Sequence, residues 1–470
     1  MGYEPKLWMA VPFGLLLATI AAGPLLFPAW WTRHYPKVAL GLGAVTLAYY
    51  VGGLQASERA LHTAHEYVSF IVLIGSLFVV SGGILIQVKG ESTPVGNAVF
   101  LFMGSVLANV LGTTGASMLL IRPWLRMNKY RLTAYHVVFF IFLVSNVGGC
   151  LTPIGDPPLF LGYLKGVPFW WVAERCWPMW AVAVASLLAV FLLIDWRNFL
   201  RAPAQVRTRL AAPPEQWQFQ GMSNVFFLAV ILGAVFLERP PLLREALMVG
   251  AALGSWFSTP RRIHQANQFT FHPIREVAIL FAGIFATMMP ALDWLERNAA
   301  RLGDPSPGFF YWATGSLSSL LDNAPTYLSF LSAEVGSLVS PQTARLIQQA
   351  AQQGLHAAPT GPHAAEVQAG LAALHQYHPE LLRAGAVTLE QARIAVLIGD
   401  PALSRYLAAV SVGAVFFGAC TYIGNGPNFM VKSIAEQQKV RVPHFLGYVF
   451  SYTLPFLLPV LALVWLLFFR

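Results

Sequence analysis

An all-α polytopic membrane protein built from two inverted-topology repeats, with about 10 transmembrane spans, two re-entrant hairpins and two broken helices, is predicted by three observations. The first is composition. Of 470 residues 56% are hydrophobic and only 11% charged, and mean hydropathy is +0.58. A soluble domain carries about 25% charged residues, so an ordinary soluble fold is excluded. The second is a pair of matching stretches: Gly149-Cys150-Leu151-Thr152-Pro153-Ile154-Gly155-Asp156-Pro157-Pro158 and Gly418-Ala419-Cys420-Thr421-Tyr422-Ile423-Gly424-Asn425-Gly426-Pro427. Each interrupts a long apolar run with residues that do not continue a helix in lipid. Backbone freed from helical hydrogen bonds is tolerated in a bilayer only where protein or a polar cavity surrounds it. The third is that segments 94–121 and 308–332 are long and apolar but polar at mid-length, as a hairpin that enters and leaves by one face would be.

Along the chain, spans of about 20 apolar residues fall near 7–29, 37–55, 67–88, 168–195, 222–237, 242–258, 275–292 and 443–469, and broken helices near 132–165 and 395–433. The apolar N-terminal run is longer than a signal-peptide core and reads as a first span. The first repeat is expected over 1–196 and the second over 221–470, joined by a cytoplasmic linker at 197–220 that holds Arg197, Arg201, Arg207, Arg209, Pro213 and Pro214. With both termini outside, the inner loops hold 17 of the chain's 30 Lys and Arg, the bias that orients membrane proteins. That orientation opens the first hairpin inward and the second outward. The expected location is the inner (plasma) membrane of a bacterium.

From Thr113 to Asp156 the chain runs 43 residues, but from Asn323 to Asn425 it runs 102. The excess matches segment 333–392, rich in Ala, Gln and His, which is expected to be an outer insertion of short helices. Its histidines, His356, His363, His375 and His378, have no metal-ligand spacing and are expected at a solvated surface. Cys150, Cys176 and Cys420 form no CxxC and no even framework, so neither a disulfide nor zinc is expected. The basic residues cluster in loops and form no nucleic-acid stripe.

Four elements converge if the hairpins face the breaks. They offer Asn109, Thr113 and Thr114; Asn146, Thr152 and Asp156; Asp322, Asn323 and Thr326; and Thr421, Asn425 and Asn428. Backbone carbonyls with amide, hydroxyl and carboxylate oxygens replace the water shell of a hard cation, and half-helix N-termini favour an anion. For Na+ the candidate ligands are Asn109, Asn146, Asp156, Asp322, Asn323 and Asn425. Asp156 and Asp322 are the strongest signals, because a carboxylate at membrane depth is costly and marks function. Neither has a basic neighbour in sequence, so one site can hold either a proton or a metal ion. Helix capping by either residue remains an alternative, and the two roles can coexist. No nucleophile–base pair stands in the spans, so an enzyme is not expected, nor is any cofactor beyond Na+ as transported or coupling ion.

These motifs resemble the ion transporter superfamily, which includes sodium-coupled dicarboxylate and citrate carriers, arsenite pumps and D-type sodium/proton antiporters. Ser145-Asn146-Val147-Gly148-Gly149 with Pro153-Ile154-Gly155-Asp156, and Asp322-Asn323-Ala324-Pro325, are similar to the D-type pattern. Thr421-Tyr422-Ile423-Gly424-Asn425-Gly426-Pro427-Asn428 looks like the citrate-carrier branch. The paired Ser-Asn-Thr hairpin tips of the dicarboxylate carriers are not reproduced. The resemblance implies a homodimer whose transport domain moves like an elevator. The functions expected are sodium (or lithium)/proton antiport first, sodium- or proton-coupled citrate or dicarboxylate transport second, and arsenite efflux third.

Overall fold

The computed structural model describes residues 5–89, 93–201, 216–237, 240, 242–299, 303, 305–354 and 361–470. Among these, eight helices are long and apolar enough to cross a membrane. Their burial separates two roles. In Phe169–Arg201 only 28% of the most apolar window is buried, whereas in Ala134–Leu151 the share is 89%. Leu193, Phe226 and Phe257 are among many large apolar side chains left exposed, which is a surface made for lipid rather than water. The chain is a multi-pass membrane protein.

The first hairpin is helical throughout Pro94–Met127, but it is not one rod. Gly112 has φ +73° and ψ 154°, and the chain folds back there. Phe100 stacks on Trp124 with ring centroids 5.4 Å apart, and the Asn97 amide donates to Asn128 Oδ1 at 2.7 Å. A straight helix would hold those asparagines roughly 46 Å apart. The second hairpin pairs Pro307–Leu320 with Asn323–Leu338, and Phe310 meets Phe330 across it. Both hairpins outrun their expected ends, at 121 and 332, by about two turns.

Each broken helix is interrupted as its sequence predicts. Ala134–Leu143 gives way to a 3-10 turn at Val147–Leu151 before helix resumes at Pro157–Leu164. Pro401–Phe417 is followed by Gly418–Cys420 and then Gly426–Gln437. The expected start at 395 is corrected: residues 395–399 end the preceding helix, Leu389–Gly399. There Asp400 caps the new helix by accepting from the Ala402 amide at 2.7 Å, with Pro401 at its first position.

Two further stretches differ from expectation. The loop expected between 29 and 37 is helical, because the chain turns at Phe27 and Pro28 starts the helix Pro28–Ala48. That helix packs along His272–Asn298 so closely that a Cβ on Gly283 would press on the Ala39 carbonyl. Residues Leu85–Lys89, expected at the end of a span, form a strand paired antiparallel with Gln216–Gln220 of the expected linker. Arg207, Arg209, Pro213 and Pro214 lie outside the described residues.

The described part of the insertion is helical, in Pro341–Gln352, Ala364–Tyr377 and Pro379–Arg383. Ala344, Ile347, Val367, Leu371 and Leu374 are buried and belong to the same apolar core as the rest of the described chain, reached through Leu389–Gly399. His375 is exposed, His363 is half-buried beside Thr343 and Glu366, and His378 reaches the Gly166 carbonyl at 3.3 Å. His356 lies outside the described residues.

Cysteines introduced at 97 and 128 in a cysteine-free background are expected to join through a short bifunctional crosslinker, read as a mobility shift after cleavage within the 112–118 tip. A straight helix from 94 to 127 would give no crosslink.

Candidate functional site

The two halves repeat one set of hydrogen bonds. Thr152 Oγ1 donates to the Asn109 carbonyl at 2.6 Å, and Thr421 Oγ1 donates to the Ser319 carbonyl at 2.6 Å. Each hydroxyl also accepts a backbone amide, from Gly155 and from Gly424, both at 3.1 Å. Each break is thereby tied to the tip of the hairpin in its own half, and backbone that has left the helix finds partners. Gly155 lies against the Gly149 carbonyl, and Gly424 against that of Gly418, with no room for a Cβ at either. The same geometry explains the glycine spacing shared by the two sequence motifs.

Asp156 sits where the two halves meet. It has no exposure to solvent. Its Oδ1 accepts from Thr113 Oγ1 at 2.7 Å and from Asn425 Nδ2 at 3.0 Å, and its Oδ2 accepts from Asn323 Nδ2 at 2.5 Å. Both hairpins and both breaks contribute to this one carboxyl group. Asp156 precedes Pro157–Leu164 but makes no capping bond, so its oxygens are free for the cluster.

A ladder of amides extends from it. Asn425 also donates to Asn146 Oδ1 at 3.2 Å, and Asn146 donates to Asn428 Oδ1 at 2.7 Å. Asn428 in turn donates to the carbonyls of Gly418 and Thr421, each at 2.8 Å. The side chain of Asn323 turns its Nδ2 to Asp156 and leaves its Oδ1 buried with no hydrogen-bond partner. A buried amide oxygen of that kind calls for water or an ion.

Asp322 is placed differently. It is half-buried and caps Asn323–Leu338 through the Ala324 amide at 3.1 Å, yet it lies near enough for its charge to act on Asp156. Among the described residues no basic side chain forms an ion pair with either carboxylate. The remaining expected residues stand back. Asn109 spends its side chain on the first break, donating to the Gly148 carbonyl at 2.7 Å and accepting from the Leu151 amide at 2.8 Å. Thr326 donates to the Asp322 carbonyl within its own helix, and half-buried Thr114 lies outside this network. Thr152 and Thr421 act as clamps.

Charge at the cluster comes also from the backbone. Four helical segments begin there: the returning arm after Gly112, Pro157–Leu164, Asn323–Leu338 and Gly426–Gln437. Four others end there, at Leu111, Leu143, Leu320 and Phe417. The first set turns partial positive charge and amide hydrogens toward the site, and the second turns carbonyl oxygens toward it. Carbonyl oxygens of the kind that suit a cation and N–H groups of the kind that suit an anion are therefore brought to one place.

Sequence reasoning missed two groups of acids. Glu66 and Glu390 come together with His62, and Lys165 bonds both, at 2.6 Å to Glu66 and 3.0 Å to Glu390. Glu334 is fully buried in Asn323–Leu338. Nothing in local spacing joins residues 66, 165 and 390, and Glu334 stands just inside the segment read as a solvated insertion.

Asn146→Ala removes the link between Asn425 and Asn428 and leaves buried amide atoms unpaired. The expected loss is about 1–3 kcal/mol, seen as a lower thermal unfolding midpoint in detergent. An unchanged midpoint would contradict the ladder.

Residues 3–469 match the model of a family described as "Putative citrate transport". A comparison with curated proteins finds no match. The match covers nearly the whole chain, and the protein belongs to that transport family.

Proposed function

From membership of that family we propose that the protein is a secondary carrier of citrate or a related small carboxylate, driven by a cation, sodium or a proton, taken up at Asp156. The observation that carries the reading is a buried carboxyl group facing only neutral donors, with the unpartnered Asn323 Oδ1 beside it. An ionised carboxylate in such a place costs several kcal/mol unless it is compensated. Sodium or a proton supplies the compensation, and release of that cation restores the cost. Na+ would rest on Asp156 and Asn323, with carbonyl oxygens of the helix ends completing its shell. The solute's carboxylates would lie on the N–H groups of the half-helix starts, and the bound cation makes their approach favourable. Half-buried Asp322 stands at the rim, where its charge repels a carboxylate until a cation is in place.

The reading extends to movement. The side chains of the cluster come from the hairpins and broken helices, while Pro28–Ala48 and His272–Asn298 pack on each other and supply none of them. That division supports an elevator, with the site carried across the bilayer against a fixed scaffold, and a homodimer held by the scaffold. With both termini outside, the second hairpin opens to the exterior.

A second reading is sodium (or lithium)/proton antiport. It is favoured by the lack of any ion pair to the two carboxylates among the described residues, because competition of Na+ and H+ for Asp156 alone suffices for exchange.

Proteoliposomes separate the two. The carrier reading expects radiolabelled citrate to accumulate under an imposed sodium or pH gradient, and Asp156→Asn to lower that rate by about 100-fold. The antiport reading expects sodium to collapse a pH gradient with no carboxylate present. Asp322→Asn is expected to slow either process about tenfold. Undiminished transport by Asp156→Asn would sink both readings.

A further inference from the structure

Buried polar atoms without a hydrogen-bond partner are few in a folded protein, and each calls for an explanation. Four of those found among the described residues lie on one face of the helix Asn323–Leu338. Asn323 Oδ1, the Tyr327 hydroxyl and both carboxyl oxygens of Glu334 are buried and unpartnered. Positions 323, 327 and 334 share a helical face, spaced by four and seven residues. Across from them, on the flanking helices Pro401–Phe417 and Pro307–Leu320, the Ser411 and Thr314 hydroxyls are also buried and unpartnered. The Ser411 and Tyr327 hydroxyls lie within hydrogen-bonding reach of each other, so the groups on this face with no partner at hand are Asn323 Oδ1 and the Glu334 carboxyl. The Tyr327 hydroxyl also lies against Gly162, where a Cβ would not fit, in the same short helix that Asp156 precedes.

Glu334 itself has no exposure to solvent and, among the described residues, forms no ion pair. The charged groups on the helices packed around it are engaged elsewhere. Arg393 pairs with Glu296, Lys165 with Glu66 and Glu390, Arg59 with Asp293, and Arg405 donates to the Phe468 carbonyl. An ionised carboxylate with neither partner nor water is not sustained in such surroundings, so Glu334 stands there as the neutral acid. A neutral acid that donates to nothing is also poorly used, unless water reaches it.

We propose that Glu334 is a second proton-carrying site, linked to Asp156 through a water-bearing track lined by Tyr327, Ser411 and Asn323. The intervals along the helix are about 10 Å from Glu334 to Tyr327 and about 6 Å from Tyr327 to Asn323. Ordered waters hydrogen-bonded to the unpartnered oxygens bridge gaps of that size. Asn323 ends the track, its Nδ2 on Asp156 and its Oδ1 open. Ser332 and Val335, on the same turn as Glu334, line a cavity shared with Lys165, Glu390 and Arg393, and the far end of the proposed track opens toward it. The neutral Glu334 gives up its proton along the waters and the hydroxyls to the Asp156 carboxylate, which becomes neutral, and the Glu334 carboxylate left behind is reprotonated from the cavity. No other bond changes. The proposal rests on the cation-coupled reading of Asp156 for its role in transport, but the state of Glu334 can be tested apart from it.

The test uses the full chain in lipid nanodiscs and infrared spectroscopy of the carboxylic-acid C=O stretch. A component of that band is expected to vanish in Glu334→Gln, to persist in Asp156→Asn, and to shift within minutes of transfer to D2O. Failure of Glu334→Gln to remove any component, or a component that resists exchange for hours, overturns the proposal. In proteoliposomes Glu334→Gln is expected to slow pH-gradient-driven flux about tenfold while exchange at equal pH stays within about twofold, with Tyr327→Phe falling between. Wild-type pH-driven flux in Glu334→Gln overturns the track. Should the wild type carry neither carboxylate nor sodium under any gradient, the transport reading falls, and the infrared result still decides the state of Glu334.

Discussion

A carboxyl group closed off from water, with no ion-pair partner among the described residues, is the constraint on which the rest of this structure depends. Asp156 reaches its position only because the helix containing it unwinds, and an unwound helix in a bilayer exposes amides and carbonyls that lipid does not satisfy. Thr152 and Thr421 answer that demand by joining each break to a hairpin tip. The hairpins must therefore reach mid-membrane, and their own helix ends arrive at the site with them. Unwinding, re-entry and the convergence of helix termini are consequences of one requirement.

The halves match in backbone and differ in charge. The Thr152 and Thr421 clamps and the Gly149–Gly155 and Gly418–Gly424 contacts correspond one to one, yet Asn425 stands where the first half has Asp156. In the hairpins the relation is reversed, with Gly112 in the first tip and Asp322 in the second. Each half thus supplies one carboxylate from a different element. A fully symmetric arrangement would place two acids at the breaks, face to face, with nothing basic to separate them. The substitution by Asn425 turns that repulsion into a hydrogen bond to Asp156 at 3.0 Å.

Much of this was legible in the sequence because the signals were covalent and local. Proline and glycine in an apolar run announce the breaks, and a polar cluster in the middle of 94–121 announces a hairpin whose two helical arms meet at Gly112. What was not legible depends on partners distant in sequence. Leu85–Lys89 reads as the end of a span until Gln216–Gln220 arrives beside it. Asn109 carries the residue type of an ion ligand, but the neighbouring break takes up its amide and carbonyl groups. Glu334 looks like part of a polar insertion because only tertiary packing buries it.

Equilibrium binding of 22Na+ to the purified protein in an unbuffered solution tests the central claim most directly. Saturable binding accompanied by release of protons is expected for the wild type, with both signals lost in Asp156→Asn. Sodium binding of wild-type strength in Asp156→Asn, or wild-type binding with no proton released at any pH, would contradict the assignment of Asp156 as the group that exchanges one cation for the other.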